Sequence, residues 1–290
     1  MALPIRFCLL VCGLFVAAGA GAMTLTVQNE PHLAQARALV QEALRVGGLA
    51  VDMVDSPKAN ERRNVALISE GLTHIDMMPA TPTRLELVRN GKLRMIPIPL
   101  DRGLLGYRVN LLLESRRDML AGVRTAEDLR AFSLGQNVGW MDVEIYRAAG
   151  IPTKEIKDWA DGEFALQMEA GFLDLFPLGL EETLTHFLPH FRGKYPQLTI
   201  DPHVIVRYPW FRFVWVSPKP EADEVFDALQ RGFDKMVANG RFLRIWRQYR
   251  KPPPRGVFAG RVVIDIPNPF YGYDLVPPKY RHLLFEDGAR

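Results

Sequence analysis

An alternation of strand and helix patterns that starts at Leu25, lapses near Met78 and starts again after residue 125 restricts this chain to few architectures. Leu25-Thr26-Val27 reads as a strand. Leu33, Ala36, Leu39, Val40, Ala43 and Leu44 then recur at the spacing of one helix face, and Gly47-Gly48 supplies the stop. A second strand is predicted over 49–54, a helix through Val65, Ala66 and Ile68 ending at Gly71, and a short strand over 75–78. The second round reads helix 126–131, strand 132–137, helix 143–149, a strand near Ile156, helix 164–170 and strand 172–176. Such alternation makes βαβ units, whose mostly parallel sheets are covered by helices on both faces. Two similar α/β lobes are the expectation.

Two stretches interrupt the pattern. Met95 to Leu113 contains IPIPLDRGLLGYRVNLLL without a helical cap or stop, and His203 to Val216 contains VIVRYPWFRFVWV with Pro209 midway. Both read as extended, so the chain leaves the first lobe once and returns once. From Ala222 to Tyr249 the pattern is helical, with Val225, Leu229, Phe233, Met236 and Val237 on one face, and this segment is expected to pack on the first lobe. Pro252-Pro253-Pro254 ends it, and a late strand is predicted over 262–266. The division that follows is 23–107 for the first part of lobe 1, 108–208 for lobe 2, and 209–290 for the return to lobe 1 with its C-terminal helices and tail.

Residues 1–22 carry the marks of an export signal: Arg6, the apolar run from Phe7 to Ala18, and the small-residue pattern Ala20-Gly21-Ala22. That run is shorter than the roughly 18 apolar residues a membrane span requires. A periplasmic protein cleaved near Ala22 is expected. Both cysteines, Cys8 and Cys12, fall inside the signal, so disulfides and thiolate metal sites are excluded from what remains. With 48% hydrophobic residues the chain has ample material for cores. Its net charge of +3, which drops to +2 without Arg6, gives no reason to invoke nucleic acid or anionic lipid.

Several segments carry a family resemblance. Thr81-x-x-Arg84, the stretch Thr125 to Asp142 (TAEDLRAFSLGQNVGWMD), the stretch Ala165 to Asp174 (ALQMEAGFLD) and the helices from Phe226 to Tyr249 stand in the order and spacing of the type II periplasmic solute-binding proteins. The chain resembles their family-3, amino-acid-type branch, and within it a subset with an "iPi.kGllGyR" crossing, here Ile96 to Arg108. The resemblance implies a two-lobe α/β clamshell with two extended crossings. It also implies that Arg84 grips a ligand carboxylate. Two departures stand out. Gln28-Asn29-Glu30-Pro31 replaces the family's aromatic approach, and Gly179 stands where amino-acid binders place the acid that holds an α-amino group.

The candidate ligand-binding residues are Arg84, Thr81, Gly139, Trp140, Asp142 and Glu182. A guanidinium such as that of Arg84 offers a planar fork of donors to a carboxylate. Thr81 can cap its helix or donate to the same ligand. Gly139-Trp140-Met141-Asp142 forms a turn entering a helix, where free N–H groups attract anions, Trp140 can stand in for the missing clamp, and Asp142 can act as N-cap. Glu182 is placed to meet a cation. Asp174 is expected to hold lobe structure, and Tyr107, Arg108, Tyr208, Trp210 and Phe211 to pack the hinge. His186 and His190 share a helix face, but Pro189 lies between them and a third ligand is lacking. No metal and no cofactor is expected.

The function read from the sequence is capture of a small, carboxylate-bearing, amino-acid-like solute by a monomer that serves an ABC permease or a membrane sensor. Two alternatives belong to other classes: a dehydratase-like enzyme using Glu182 or Asp142 as acid or base, and a degenerate receptor that acts through protein contacts alone.

Overall fold

The computed structural model describes residues 23–28, 30–249 and 255–286; the expected export signal over 1–22 lies outside them. The first round of the alternation folds as β1 (Met23–Val27), α1 (Ala34–Gly47), β2 (Val51–Asp55), α2 (Glu61–Ser69), β3 (Ile75–Asp76), α3 (Pro82–Arg89) and β4 (Arg94–Ile96). Local chemistry sets the ends of these helices. Gly48 takes φ 94° and stops α1, where a side chain would be strained. Asn60 and Thr81 accept the backbone N–H groups of Arg63 and Arg84, at 3.0 and 3.3 Å, and so cap α2 and α3.

A first crossing leads to β5 (Tyr107–Leu113), followed by β6 (Leu134–Asn137), α4 (Asp142–Ala148), β7 (Thr153–Ile156), α5 (Glu163–Glu169) and β8 (Phe176–Gly179). A helical run comes next, consisting of α6 (Leu180–Glu182), a π-helical turn (Thr183–Phe187) and α7 (Leu188–Arg192). β9 (Leu198–Arg207) then leads through the second crossing into β10 (Val214–Val216). The remainder is α8 (Asp223–Ala238), α9 (Arg241–Tyr249), β11 (Val262–Asp265) and α10 (Pro278–Arg281). Gly240, at φ 71°, divides the predicted C-terminal helix in two.

The first sheet has the order β2-β1-β3-β10-β4, with β1 parallel to β2 and β3 and with β10 antiparallel to β3 and β4. The second has the order β11-β9-β5-β8, in which β5 is antiparallel to both β9 and β8. β6 and β7 form a separate parallel pair. The expectation of mostly parallel sheets therefore holds for the βαβ units and fails for the crossings. A chain that leaves on β5 and comes back on β9 lays the two strands side by side in opposite directions, and the outgoing and returning segments supply the antiparallel members.

The first core lies around the first sheet and joins Leu25, Val27, Leu39, Val40 and Ile75 to Trp215, Leu229 and Phe233. Here α1 and α8 touch backbone to backbone. A Cβ on Gly47 would lie 2.0 Å from the Ala228 carbonyl oxygen, and one on Gly232 would lie 1.8 Å from that of Ala43. Two further cores fill the second lobe, one around Leu112, Tyr146 and Val206 and one around Phe164, Phe176 and Phe191. Asp174 ties this lobe together as expected, accepting from the backbone and hydroxyl of Ser133 and from Arg116.

The crossings meet at Gly106, whose carbonyl accepts from the N–H of Tyr208 at 3.1 Å and where a Cβ would stand 2.1 Å from the Tyr208 oxygen. The predicted late strand forms as β11, parallel to β9 in the second sheet. The tail then runs back across the same region. Asn268 donates to the Pro209 carbonyl at 2.9 Å, Tyr271 stacks on Trp210 and donates to the Ala80 carbonyl at 3.0 Å, and Tyr280 donates to Asp234 on α8 at 2.6 Å.

Candidate functional site

A cavity of about 320 Å³ opens between the lobes, within the size range of small-molecule sites. The first lobe contributes Glu30 and His32 after β1, Glu61 at the start of α2, and Met78, Pro79 and Thr81 between β3 and α3. The second contributes Gly139, Trp140, Met141 and Asp142 at the start of α4, Trp159 after β7, and Leu178, Glu182 and Phe187 around α6. Leu105, Arg108, Trp210 and Arg212 come from the crossings. Five of the six candidates thus come together: Thr81, Gly139, Trp140, Asp142 and Glu182.

Arg84 does not line the cavity. Its side chain is 0% exposed and donates from Nη2 to Asp76 at 2.6 Å and from both Nη atoms to Glu61. Burial works against the guanidinium charge, but Asp76 and Glu61 outweigh it and raise its pKa above the ordinary arginine value. The guanidinium also lies over the Trp215 ring at 5.8 Å. The donor fork assigned to a ligand is consumed within the protein, where it joins β3, α2 and α3. Thr81 caps α3 as foreseen and also reaches the cavity wall.

Asp142 is not an N-cap either. α4 starts at Asp142 itself, and the carboxylate turns away from the helix to accept from the Arg108 guanidinium and the Tyr208 hydroxyl. Arg108 Nε in turn donates to the Tyr208 oxygen at 2.6 Å. Burial opposes the Arg108 charge, but Asp142 prevails and raises the pKa, while burial drives the Tyr208 phenol well above its ordinary value. Glu182 accepts from Arg212 at 3.1 Å. Burial would raise this carboxyl, but Arg212, with His32 and Arg108, holds it below the usual range. Its Oε2 lies 3.2 Å from where a Cβ on Gly179 would stand, so the Glu182 carboxylate occupies the space next to the departure at 179.

Gly139 adopts φ 79°, and a Cβ there would meet nothing within 4 Å. Trp140 packs edge-on against Trp159 with ring centroids 4.8 Å apart, and Trp159 against Phe187 at 5.1 Å, so the second lobe presents an aromatic wall. Glu30 faces it from the first lobe, held by the Gln28 amide and His32, each at 3.4 Å. Burial raises the Glu30 pKa; Arg212 opposes this, and Asp76 and Glu182 add to it. Among the described residues no group of three or more His, Cys, Asp or Glu is placed to hold a metal ion.

Sequence reasoning missed Glu30, Glu61, Trp159, Phe187 and Arg212 and left Arg108 to hinge packing. A signal was present for the two arginines. Each interrupts an otherwise apolar extended run, and a charge carried into a core requires a partner. The partners are distant in sequence, and no spacing rule reveals them.

No protein-family model and no curated protein matches this sequence. Solved structures do. The VFT2 domain of BvgS from Bordetella pertussis, a double mutant, superposes with a TM-score of 0.55 at 13% identity, covering 79% of this chain and 93% of that one. The GluR0 ligand-binding core in complex with L-glutamate gives 0.53 at 9% identity, covering 80% and 99%. A periplasmic His/Glu/Gln/Arg/opine family-binding protein from Silicibacter pomeroyi in complex with lysine gives 0.51 at 11%, covering 79% and 96%. The fold is the two-lobe α/β clamshell of the type II periplasmic-binding kind. Among the described residues no helix is long and apolar enough to cross a membrane.

Proposed function

We propose that this protein is a solute-binding protein that captures a small molecule between its lobes and presents the closed form to a membrane permease or sensor. One observation carries the reading: a single cavity is lined from both lobes and from both crossings that join them. A solute seated there gains its full set of contacts only when the lobes are together, so it shifts the population toward closure. Moving an equilibrium from 1:99 to 99:1 takes roughly 10⁴-fold preference for the closed state, about 5.5 kcal/mol. The paired crossings suit this motion, since they run side by side through the β5–β9 and β4–β10 pairings and meet at Gly106 and Tyr208 between the lobes.

Two of the neighbours named above support the reading, the GluR0 ligand-binding core having been solved with L-glutamate and the Silicibacter pomeroyi protein with lysine. A carboxylate grip by Arg84 has no support, because Asp76 and Glu61 already occupy that guanidinium. The test is a thermal-shift screen of amino acids, amines, dicarboxylates and small peptides. A binder at one hundred times its dissociation constant stabilises by about 2.7 kcal/mol. The same ligand should reduce the radius of gyration in small-angle scattering. Absence of both effects across the library would refute solute capture.

A further inference from the structure

We propose, on the premise that the cavity binds a solute, that its ligand is an organic cation with an apolar body, an amine or guanidinium compound that needs no carboxylate. The wall and the groups directly behind it contain Glu30, Glu61, Asp76, Asp142 and Glu182 against Arg84, Arg108 and Arg212. Each arginine is already paired: Arg84 with Asp76 and Glu61, Arg108 with Asp142, and Arg212 with Glu182. Each lining guanidinium charge is thus matched by a carboxylate of the protein itself. A protonated His32 would offset one carboxylate beside Glu30 and still leave the acids in excess.

The surplus lies on the first lobe, where Glu30 has no arginine partner and Glu61 and Asp76 share one. The Glu30 side chain is 36% exposed and has only 3.4 Å partners, and Glu61, which shares Arg84 with Asp76, is 47% exposed. A second observation points the same way. Gln28, 4% exposed, lines a smaller cavity that shares Glu30, together with Ser56, Asn64 and the exposed Lys58. Its Nε2 is spent on Glu30, and its Oε1 has no partner. A buried acceptor beside an incompletely paired carboxylate is suited to a ligand rich in N–H donors. Across the gap stand Trp140, Trp159 and Phe187, which can cover an apolar chain or meet a cation with their ring faces. Among the lining arginines Arg212 Nε lacks a partner, while its Nη2 is spent on Glu182 as that of Arg108 is on Asp142.

The experiment is calorimetry and thermal shift with agmatine and phenethylamine as cations, L-arginine as a cation that also bears a carboxylate, and glutarate as an anion, on the wild type and on Glu30→Gln. Agmatine or phenethylamine should bind, L-arginine should bind no more than threefold tighter than agmatine, and glutarate should give no shift. Glu30→Gln should weaken the amines at least tenfold while melting at the wild-type temperature without ligand. Binding of glutarate, or of L-arginine without agmatine, would overturn the cation assignment and leave solute capture standing. Silence of these probes and of the wider library would overturn both. An unchanged amine affinity in Glu30→Gln would remove the carboxylate from the recognition and with it the proposal.

Discussion

Replacing Arg84 by Met separates a structural arginine from a ligand-gripping one. In the wild type the guanidinium is 0% exposed and its buried partner, Asp76, is 1% exposed with Oδ1 already lacking a hydrogen bond. Removing the cation leaves Asp76 charged in the core, and breaking a buried pair in this way costs about 3–5 kcal/mol. The contact with Glu61 adds about 1 kcal/mol or less, because that carboxylate is 47% exposed and water takes over its solvation. With a urea slope of about 3 kcal/mol/M, the unfolding midpoint should fall by about 1–2 M. Tryptophan fluorescence is a suited readout, since Trp215 lies under the guanidinium. The double variant Asp76→Asn with Arg84→Met removes the stranded charge and should recover most of the loss. Affinity for any ligand of the cavity, measured on the folded fraction, should change less than threefold. A midpoint shift below about 0.3 M together with a tenfold loss of affinity would refute the assignment and restore Arg84 to the ligand.

Gly232→Ala should destabilise the first lobe by about 1–3 kcal/mol, because the new methyl meets the Ala43 carbonyl at 1.8 Å and two helices must part; urea denaturation reads it, and a neutral result would refute the close packing of α1 on α8. Glu182 is held below the ordinary value of 4.5, so the folded state favours its charged form. The stability it contributes is fully present above that value and is lost as pH falls through the depressed one, and Glu182→Gln should flatten acid-induced melting in that window. Glu30 behaves oppositely. Its pKa is raised by burial, with Arg212 opposing and Asp76 and Glu182 reinforcing, so amine affinity should fall as pH drops through that raised value, with His32 and Gln28 as its other neighbours. Calorimetry at stepped pH tests this, and an affinity flat down to pH 4 would count against it. Ending the chain after Ile266 removes the Trp210–Tyr271 stack and the Asn268 and Tyr271 hydrogen bonds across the crossings. The truncated chain should scatter as a wider, more open particle, and an unchanged profile would show that the tail does not restrain the hinge.

Which parts of this molecule were legible in one dimension follows from the range of the forces involved. Helix stops at Gly48, caps at Asn60 and Thr81, the βαβ periodicity and the break at Pro209 are set by residues within a few positions of one another. The two lobes emerge from that pattern, whereas the clamshell and the gathering of Thr81, Gly139, Trp140, Asp142 and Glu182 around one cavity were implied by the family resemblance. Arg84 marks the limit. Its residue type and position suggested a ligand grip, while its actual partners, Asp76 and Glu61, lie 8 and 23 residues away and answer to the packing of β3, α2 and α3. The same holds for Arg108 with Asp142, 34 residues apart, and Arg212 with Glu182, 30 apart. The sequence alone determined where helices and strands begin, and that they form two lobes, because backbone preference and apolar period are local. Only the tertiary structure decided which carboxylate neutralises which arginine, and so what charge the cavity offers a ligand, because a buried charge is governed by whatever the fold brings within a few ångströms of it.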